Sequence, residues 1–434
     1  DIMMIKLYFK IIVCLITFTS FKFVSLSNTY ELTQNDIQSA FKLSKTIIID
    51  SNFVDLDVPF QEFVFKTNKI DIFCLSKNLY QGENYIYYNL LNITTNKINK
   101  LKIENIEKEE YYSTANDFAI LSDDSIIVSS YRCIIFFKSS GDEYYKTKKL
   151  NLYADIEKFH IYNDTLYGYS NNFYNKIGDN RDSTYSFFVK IDLKTLSISY
   201  HFIEKEISNV FTVFQPRSLI DGYRDKIIKI CSIGQKIEFS VLNLLTSVKK
   251  QYSYKPNTWI SATEQSLEYI MEILKSPIRK YIKNVIDSLR PFMQNYSIIT
   301  KVNFINDSTL FILRTSPKIN KEHNYDFSIY IDIIKFTYDS ITKIVELNQE
   351  SLDKEKINKN QPLSAYIKKS WFVNDNCYFI NRNLIIMEKI PYKIDEAFLN
   401  NSYSEINNLV EEYLIKFEYL PLQFIILKLS DDYE

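Results

Sequence analysis

Glycine is nearly absent: the 434 residues contain six. That scarcity excludes glycine-rich phosphate cradles and dinucleotide fingerprints, and none occurs. It also means that turns needing a positive φ must be filled by other residues, with Asn, Asp and Lys the expected substitutes. Histidine is as scarce, at three residues, His160, His201 and His323. With no GxSxG and no HExxH, enzyme classes that carry their machinery in a local motif are disfavoured. His160 and His201 lie in strand-like runs and are expected to be sheet residues rather than general bases. There is no CxxC and no Cys/His cluster, which argues against a structural metal site, and no cofactor signature is present. A formal charge of −1, from 52 basic and 53 acidic residues, gives no field favouring nucleic acid or an anionic membrane.

Aromatic residues are what the chain has in quantity, with 34 Tyr and 31 Phe. Such residues suit half-buried strand surfaces, and the chain is too hydrophobic to be disordered. At its start, Lys6 and Lys10 precede the run IIVCLITFTSFKFVSL, and Ser25-Leu26-Ser27 closes it. This order of basic, apolar and small residues is that of a secretory signal, with cleavage expected after Ser27 and an uncleaved anchor as the alternative. Lys22 leaves the apolar run too short for a membrane span. Export to the periplasm, the cell surface or the medium is the expectation. Removing residues 1–27 takes Cys14 away and leaves Cys74, Cys133, Cys231 and Cys377. Four cysteines allow three pairings in an oxidising compartment, while their strand-like settings favour buried free thiols.

The stretch Lys301 to Leu347 alternates apolar runs with turn residues at Asn306-Asp307 and Tyr338-Asp339-Ser340, which predicts four antiparallel strands. Four such strands make a propeller blade, which cannot bury both of its faces alone. Related patterns open at Lys69, Asp117, Lys158, about Phe211 and Lys369. The sequence therefore predicts an all-β fold: one six-bladed β-propeller over residues 28–434, with seven blades as the alternative. Residues 28 to about 67 read as a helical-looking lead-in followed by runs that complete the last blade. A helical insertion is expected at about 256–296, before the fifth blade, where Leu267, Ile270, Met271 and Leu274 fall at helical spacing between Pro256 and Pro291.

A helical stretch leading into a hairpin that ends LFILRTSP resembles the secreted six-bladed β-propeller proteins of the NHL and TolB-like type. In place of the Asp-Gly turns usual there, this chain has Asn306-Asp307 and Asn374-Asp375, and Phe311 stands where a Trp is common. The resemblance implies an exported ring-shaped protein.

Function has a thinner basis. Arg132, Arg314 and Arg382 each lie eight positions after a candidate turn residue (Asp124, Asn306 and Asn374), and the chain has only eight arginines. Equivalent positions on three blades would converge at the ring mouth and pair with an anionic ligand; pairing with neighbouring blades is the competing expectation. Trp259, Trp371 and the tyrosines of YYSTAND and YSNNFYN could stack on sugar rings or pack between blades. Asp123-Asp124 and Glu107 to Glu110 lack calcium-loop spacing and are expected to be turn or solvated surface. The expectation is a monomeric, non-enzymatic binding or scaffold protein with a glycan or protein partner, the ligand an acidic glycan or peptide. The rival is an exported hydrolase or lyase acting on glycans through scattered carboxylates.

Overall fold

The computed structural model describes residues 31–49, 62–68, 71–104, 114–141, 143–170, 183–207, 219–233, 236–261, 296–319, 325–349, 377–388 and 422–433. The chain enters through β1 (Glu31–Asp36), a single helical turn α1 (Ile37–Ala40) and β2 (Phe41–Ile49). Next come β3 (Phe63–Asn68), β4 (Asp71–Ser76), β5 (Tyr80–Gln81), β6 (Ile86–Asn92) and β7 (Lys97–Ile103). After these lie β8 (Asp117–Ile120), β9 (Ile126–Ser130), β10 (Cys133–Ser140) and β11 (Glu143–Asn151), then β12 (Lys158–Tyr162), β13 (Thr165–Ser170), β14 (Ser183–Asp192) and β15 (Ile198–Ile207). The run continues with β16 (Ile220–Tyr223), β17 (Lys226–Ile233), β18 (Ile237–Asn243) and β19 (Lys249–Tyr254). The stretch that predicted four strands supplies β20 (Ile298–Asn306), β21 (Thr309–Ile319), β22 (Tyr325–Phe336) and β23 (Ile341–Asn348). Last are β24 (Cys377–Ile380), β25 (Asn383–Glu388), β26 (Leu422–Leu429) and a 3-10 turn at Asp431–Tyr433.

These strands form an all-β, propeller-like fold. Three four-stranded sheets have the orders β12-β13-β14-β15, β16-β17-β18-β19 and β2-β26-β25-β24, and a five-stranded sheet runs β1-β23-β22-β21-β20. The largest sheet follows the path β3-β4-β6-β7-β11-β10-β9-β8 and is held at its middle by a parallel β7–β11 pairing, Tyr144 opposite Leu101 and Tyr145 opposite Lys102. The first strands follow one another in a circuit: β3 neighbours β8, β8 β12, β12 β16, β16 β20 and β20 β24, which returns to β3.

Continuous apolar runs form here because both faces of a sheet are buried, whereas a sheet with one wet face needs polar alternation. Along β21, Leu310 and Ile312 enter one apolar cluster with Phe239 and Tyr254, while Phe311 and Leu313 enter another with Phe379 and Leu384. β9 divides in the same way, Ile126 and Val128 on one side and Ile127 on the other. Turns are made almost without glycine. Nine described non-glycine residues have positive φ, and five are Asn or Asp: Asn96, Asp124, Asn163, Asp164 and Asn381. The remaining four are Arg132, Leu196, Arg224 and Ser247, so the lysine expected to share this task does not.

Several local expectations need correction. The helical-looking lead-in is mostly strand: β1 pairs in parallel with β23, and α1 is one turn capped by Asp36, whose carboxylate accepts from the Gln38 amide at 2.9 Å. The segment around Phe63 does not complete the last sheet; it is β3, the first strand of the unit expected to begin at Lys69. β2 does complete the last sheet, pairing antiparallel with β26. Residues 1–27, residues 262–295 of the helical insertion expected at about 256–296, His323, Trp371 and the candidate turn at Asn374 lie outside the described residues.

Candidate functional site

At the centre of the fold, first strands present backbone groups that no further strand can pair, and such groups need side-chain partners. Charged side chains from neighbouring first strands supply them. Asp117 on β8 accepts from the Phe159 amide on β12 at 2.8 Å. Lys158 on β12 donates to the Ile220 carbonyl on β16 at 3.0 Å. Asp221 on β16 accepts from the Phe304 amide on β20 at 2.7 Å, and Lys301 on β20 donates to the Cys377 carbonyl on β24. Lys66 on β3 pairs with Asp117 at 2.9 Å, and Asn381 beside β24 donates to Thr67 on β3 at 3.2 Å. The order Lys, Asp, Lys, Asp, Lys makes chemical sense because an ammonium seeks carbonyl oxygen and a carboxylate seeks amide N–H.

A small concave cleft, with room for about one water molecule, opens beside this circuit, lined by Lys66 and Lys158, by aromatic residues including Tyr167, Tyr169 and Phe188, and by Asp221 and Gly222. It lies where the sheet starting at β12 meets the sheet starting at β16. Among the described residues this junction has the smallest buried apolar cluster, Tyr169, Ile220 and Ile227, with Tyr167, Phe188 and Leu244 packed against it. Among the described residues, Lys158 makes one hydrogen bond, to a backbone carbonyl, and has no carboxylate within ion-pair distance. Burial pushes its amine pKa down, an effect that Asp221 and Asp117 oppose and Lys66 and Lys301 reinforce. His160 is also shifted down by burial, against the pull of the Arg224 carbonyl, which lies 2.6 Å from its Nε2. Gly222 lets this imidazole lie flat on β16, since a Cβ there would sit 2.3 Å from His160 Cγ. At the next junction, Arg224 pairs with Asp307 at 2.5 Å and Lys226 donates to the Asp307 carbonyl at 2.8 Å, joining the β16–β17 and β20–β21 hairpins.

The three arginines do not share one position. Arg314 lies within β21, fully enclosed. It makes two bonds to Asp332 (2.7 and 3.0 Å), one to Glu346 at 3.0 Å, one to Thr258 at 2.7 Å and one to Ser316 at 3.2 Å, with its guanidinium over the Tyr330 ring. Arg132 occupies the β9–β10 turn at φ 50°, exposed, with its amide donating to Asp155 at 2.7 Å. Arg382 occupies the β24–β25 turn and pairs with Asp431 at 2.5 Å. Arg132 follows a second strand and Arg382 a first strand, so antiparallel order puts them at opposite ends of their sheets. The equal spacing failed as a guide because the last hairpin turns at Asn381-Arg382, seven residues beyond the expected Asn374.

Other sequence candidates take structural places. Trp259 and Tyr169 are buried between sheets, and Asp123 caps the β8–β9 turn by accepting from the Ser125 amide at 3.2 Å. Cys74, Cys133 and Cys377 are buried, and burial pushes the Cys74 thiol pKa up. Among the described residues no group of three potential metal ligands converges, and no helix is long and apolar enough to cross a membrane. Sequence reasoning missed Lys66, Asp117, Lys158, Asp221 and Lys301. The available signal was a charged residue within the first apolar run of five successive units, alternating in sign.

No family model matches the chain, and no curated protein matches it. Solved structures do. A Bacteroides fragilis protein described by inference as exported superposes with a TM-score of 0.52 at 11% identity, over 93% of this chain and 100% of that one. A calcium-binding protein, regucalcin, from Agrobacterium tumefaciens gives a TM-score of 0.34 at 9% identity, over 92% and 97%. At such identities the likeness to the first is one of fold, and the chain is similar to it as an all-β propeller.

Proposed function

We propose that this chain is an exported, non-enzymatic binding protein: a ring of six four-stranded blades that contacts an acidic ligand at the ring face onto which this cleft opens. The count of six is supported by dividing the eight-strand path at its short β7–β11 pairing, which gives two four-stranded meanders, and by the circuit of first strands. It is further supported by the apolar clusters, each of which joins one unit to the next. On this reading residues 1–27 are a signal, residues 28–434 form one propeller of the NHL and TolB-like type, and the mature protein is a monomer.

The observation that carries the binding reading is Lys158, a cation without a carboxylate partner among the described residues, at the head of an aromatic-walled cleft. Concave sites with apolar walls and few convergent polar groups are where small ligands bind. Arg132, at the end of the ring from which β12 starts, belongs to the proposal as an outer contact. Arg382 belongs to the opposite rim, and Arg314 serves the fold.

The test is a screen of immobilised acidic and neutral glycans and acidic peptides against the full chain, reading retention and chemical change together. Retention of acidic probes without new products is expected. No retention would remove the binding reading, and released products would replace it with an exported glycan hydrolase or lyase. Recovery of the expressed chain outside the cytoplasm, beginning at Asn28, tests export.

A further inference from the structure

We infer that the acidic ligand is a glycan of uronic acid residues, and that it lies on a ledge formed by Tyr131, Arg132 and Tyr153 at the end of the ring from which β12 starts. This rests on the binding reading above and names its ligand class and the surface that takes it. Three of the described tyrosines are exposed, Tyr131 at 58%, Tyr153 at 78% and Tyr338, and the first two stand on one ledge. Tyr131 and Arg132 make the turn between β9 and β10, with Ser130 opposite Cys133. Tyr153 lies in the loop that leads from β11 to Lys158 at the start of β12. Two bonds tie turn to loop: the Leu152 amide donates to the Arg132 carbonyl and the Arg132 amide to the Asp155 carboxylate, each at 2.7 Å. The Tyr153 amide donates to the Tyr200 hydroxyl on β15 at 3.1 Å, and the two rings lie 6.0 Å apart. Loops bonded in this way hold their side chains ready, so that binding has little left to order.

An aromatic face open to water suits the C–H face of a pyranose, whose hydroxyls keep their water at the edge of the contact. Tyrosine offers such a surface at a small cost in side-chain freedom. Stacking alone would accept any sugar, and Arg132 adds the selection by charge. Its guanidinium is exposed and lies over the Tyr131 ring, 5.2 Å from the centroid, so carboxylate recognition and stacking fall on neighbouring atoms. A planar fork beside an aromatic platform matches a carboxylate borne on a sugar ring, whereas an uncharged sugar or an acidic peptide meets only half of the arrangement. The ledge is an open surface rather than a pit, so a polymer can cross it without threading an end. Lys158 begins the strand that follows the Tyr153 loop, which puts both cations at one end of the ring.

The experiment titrates the full chain by calorimetry with a short oligogalacturonate, an uncharged maltooligosaccharide of the same length and a short polyglutamate, and repeats the first titration on Tyr131→Ala, Arg132→Asn and Tyr153→Ala. Asparagine tolerates the φ of 50° that the turn needs while removing the charge. Saturable oligogalacturonate binding is expected, weakened at least about fivefold by loss of either ring and about tenfold by loss of the guanidinium. A measurement on the unmodified sequence guards against a variant that does not fold. Oligogalacturonate should slow acetylation of Tyr131 and Tyr153 by N-acetylimidazole, read by peptide mass spectrometry. It should leave Tyr338 unprotected, because the β22–β23 turn joins third and fourth strands and so lies at the opposite end from the β9–β10 turn. Polyglutamate binding in place of the sugar, oligogalacturonate binding that ignores all three substitutions, or unslowed labelling of Tyr131 and Tyr153 would overturn this inference and leave the acidic-ligand reading standing. Equal binding of the uncharged sugar, or no binding of any probe, would remove both.

Discussion

Arg314→Met is the sharpest test of how the β20–β23 sheet is held. The guanidinium is fully enclosed, as are Asp332 and Glu346, the two carboxylates it pairs with. Tyr254 adds a hydroxyl bond to Asp332 at 2.9 Å, and Thr258 one to Glu346 at 2.6 Å. Methionine fills much of the volume but strands two carboxylates where water cannot reach them. Removing one partner of a buried pair costs about 3–5 kcal/mol. Urea unfolding followed through the fluorescence of buried Trp259 reads this loss as a lower midpoint at similar slope. The deficit should depend on pH in one direction. Burial holds the Asp332 carboxyl pKa above its ordinary value even beside Arg314, so the folded state protonates it before the unfolded chain does. A raised carboxyl favours folding at acid pH, and that contribution is lost as pH rises through the folded value. Without Arg314 the shift grows, so the variant should lose most at neutral pH and less near pH 5. Adding Asp332→Asn and Glu346→Gln should recover much of the loss. A deficit under about 1 kcal/mol, or one that is equal at both pH values, would refute the account.

Replacing residues 262–295 with a short Gly/Ser linker should leave the sheets folded, because the Ser297 amide already donates to the Ile260 carbonyl and the Ile260 amide to Ser297 Oγ, each at 2.9 Å; a loss of cooperative unfolding would contradict this. Gly222→Ala should cost about 1–3 kcal/mol by driving a methyl group into His160, measured as a fall in urea midpoint. Leu196→Asn should stabilise by about 1 kcal/mol, since Leu196 holds φ 59° in the β14–β15 turn, where asparagine is tolerated better. An unchanged or lower midpoint would show that the turn stores no such strain.

Much of the architecture was legible because doubly buried strands leave a strong mark. TLFILRTSPKI and the run before Ser129-Ser130 are apolar at successive positions, and short polar breaks separate them. β1 left no such mark. It lies on a sheet edge with its residues exposed or half-buried, so ELTQND shows no strand alternation. FVFKTN was short and preceded by a long gap, which made it look like part of the lead-in rather than a first strand. The site was harder still. Asp117, Lys158, Asp221 and Lys301 act on backbone groups of the next first strand, so their meaning appears only once neighbours are known. The arginine spacing had the opposite fault, a regularity in the sequence with no counterpart in space.

The N-terminal segment lies across two sheets, β1 beside β23 and β2 beside β26, and Asn35 bonds Tyr433 at 3.2 Å, 398 residues away. During synthesis this segment emerges well before its partners β23 and β26. It must wait until those strands are made, and two sheet edges wait for it. Contacts of such separation close slowly, and open edges favour aggregation while they wait. Pairing of β2 with β26 is therefore a step that cannot begin before β26 has been made.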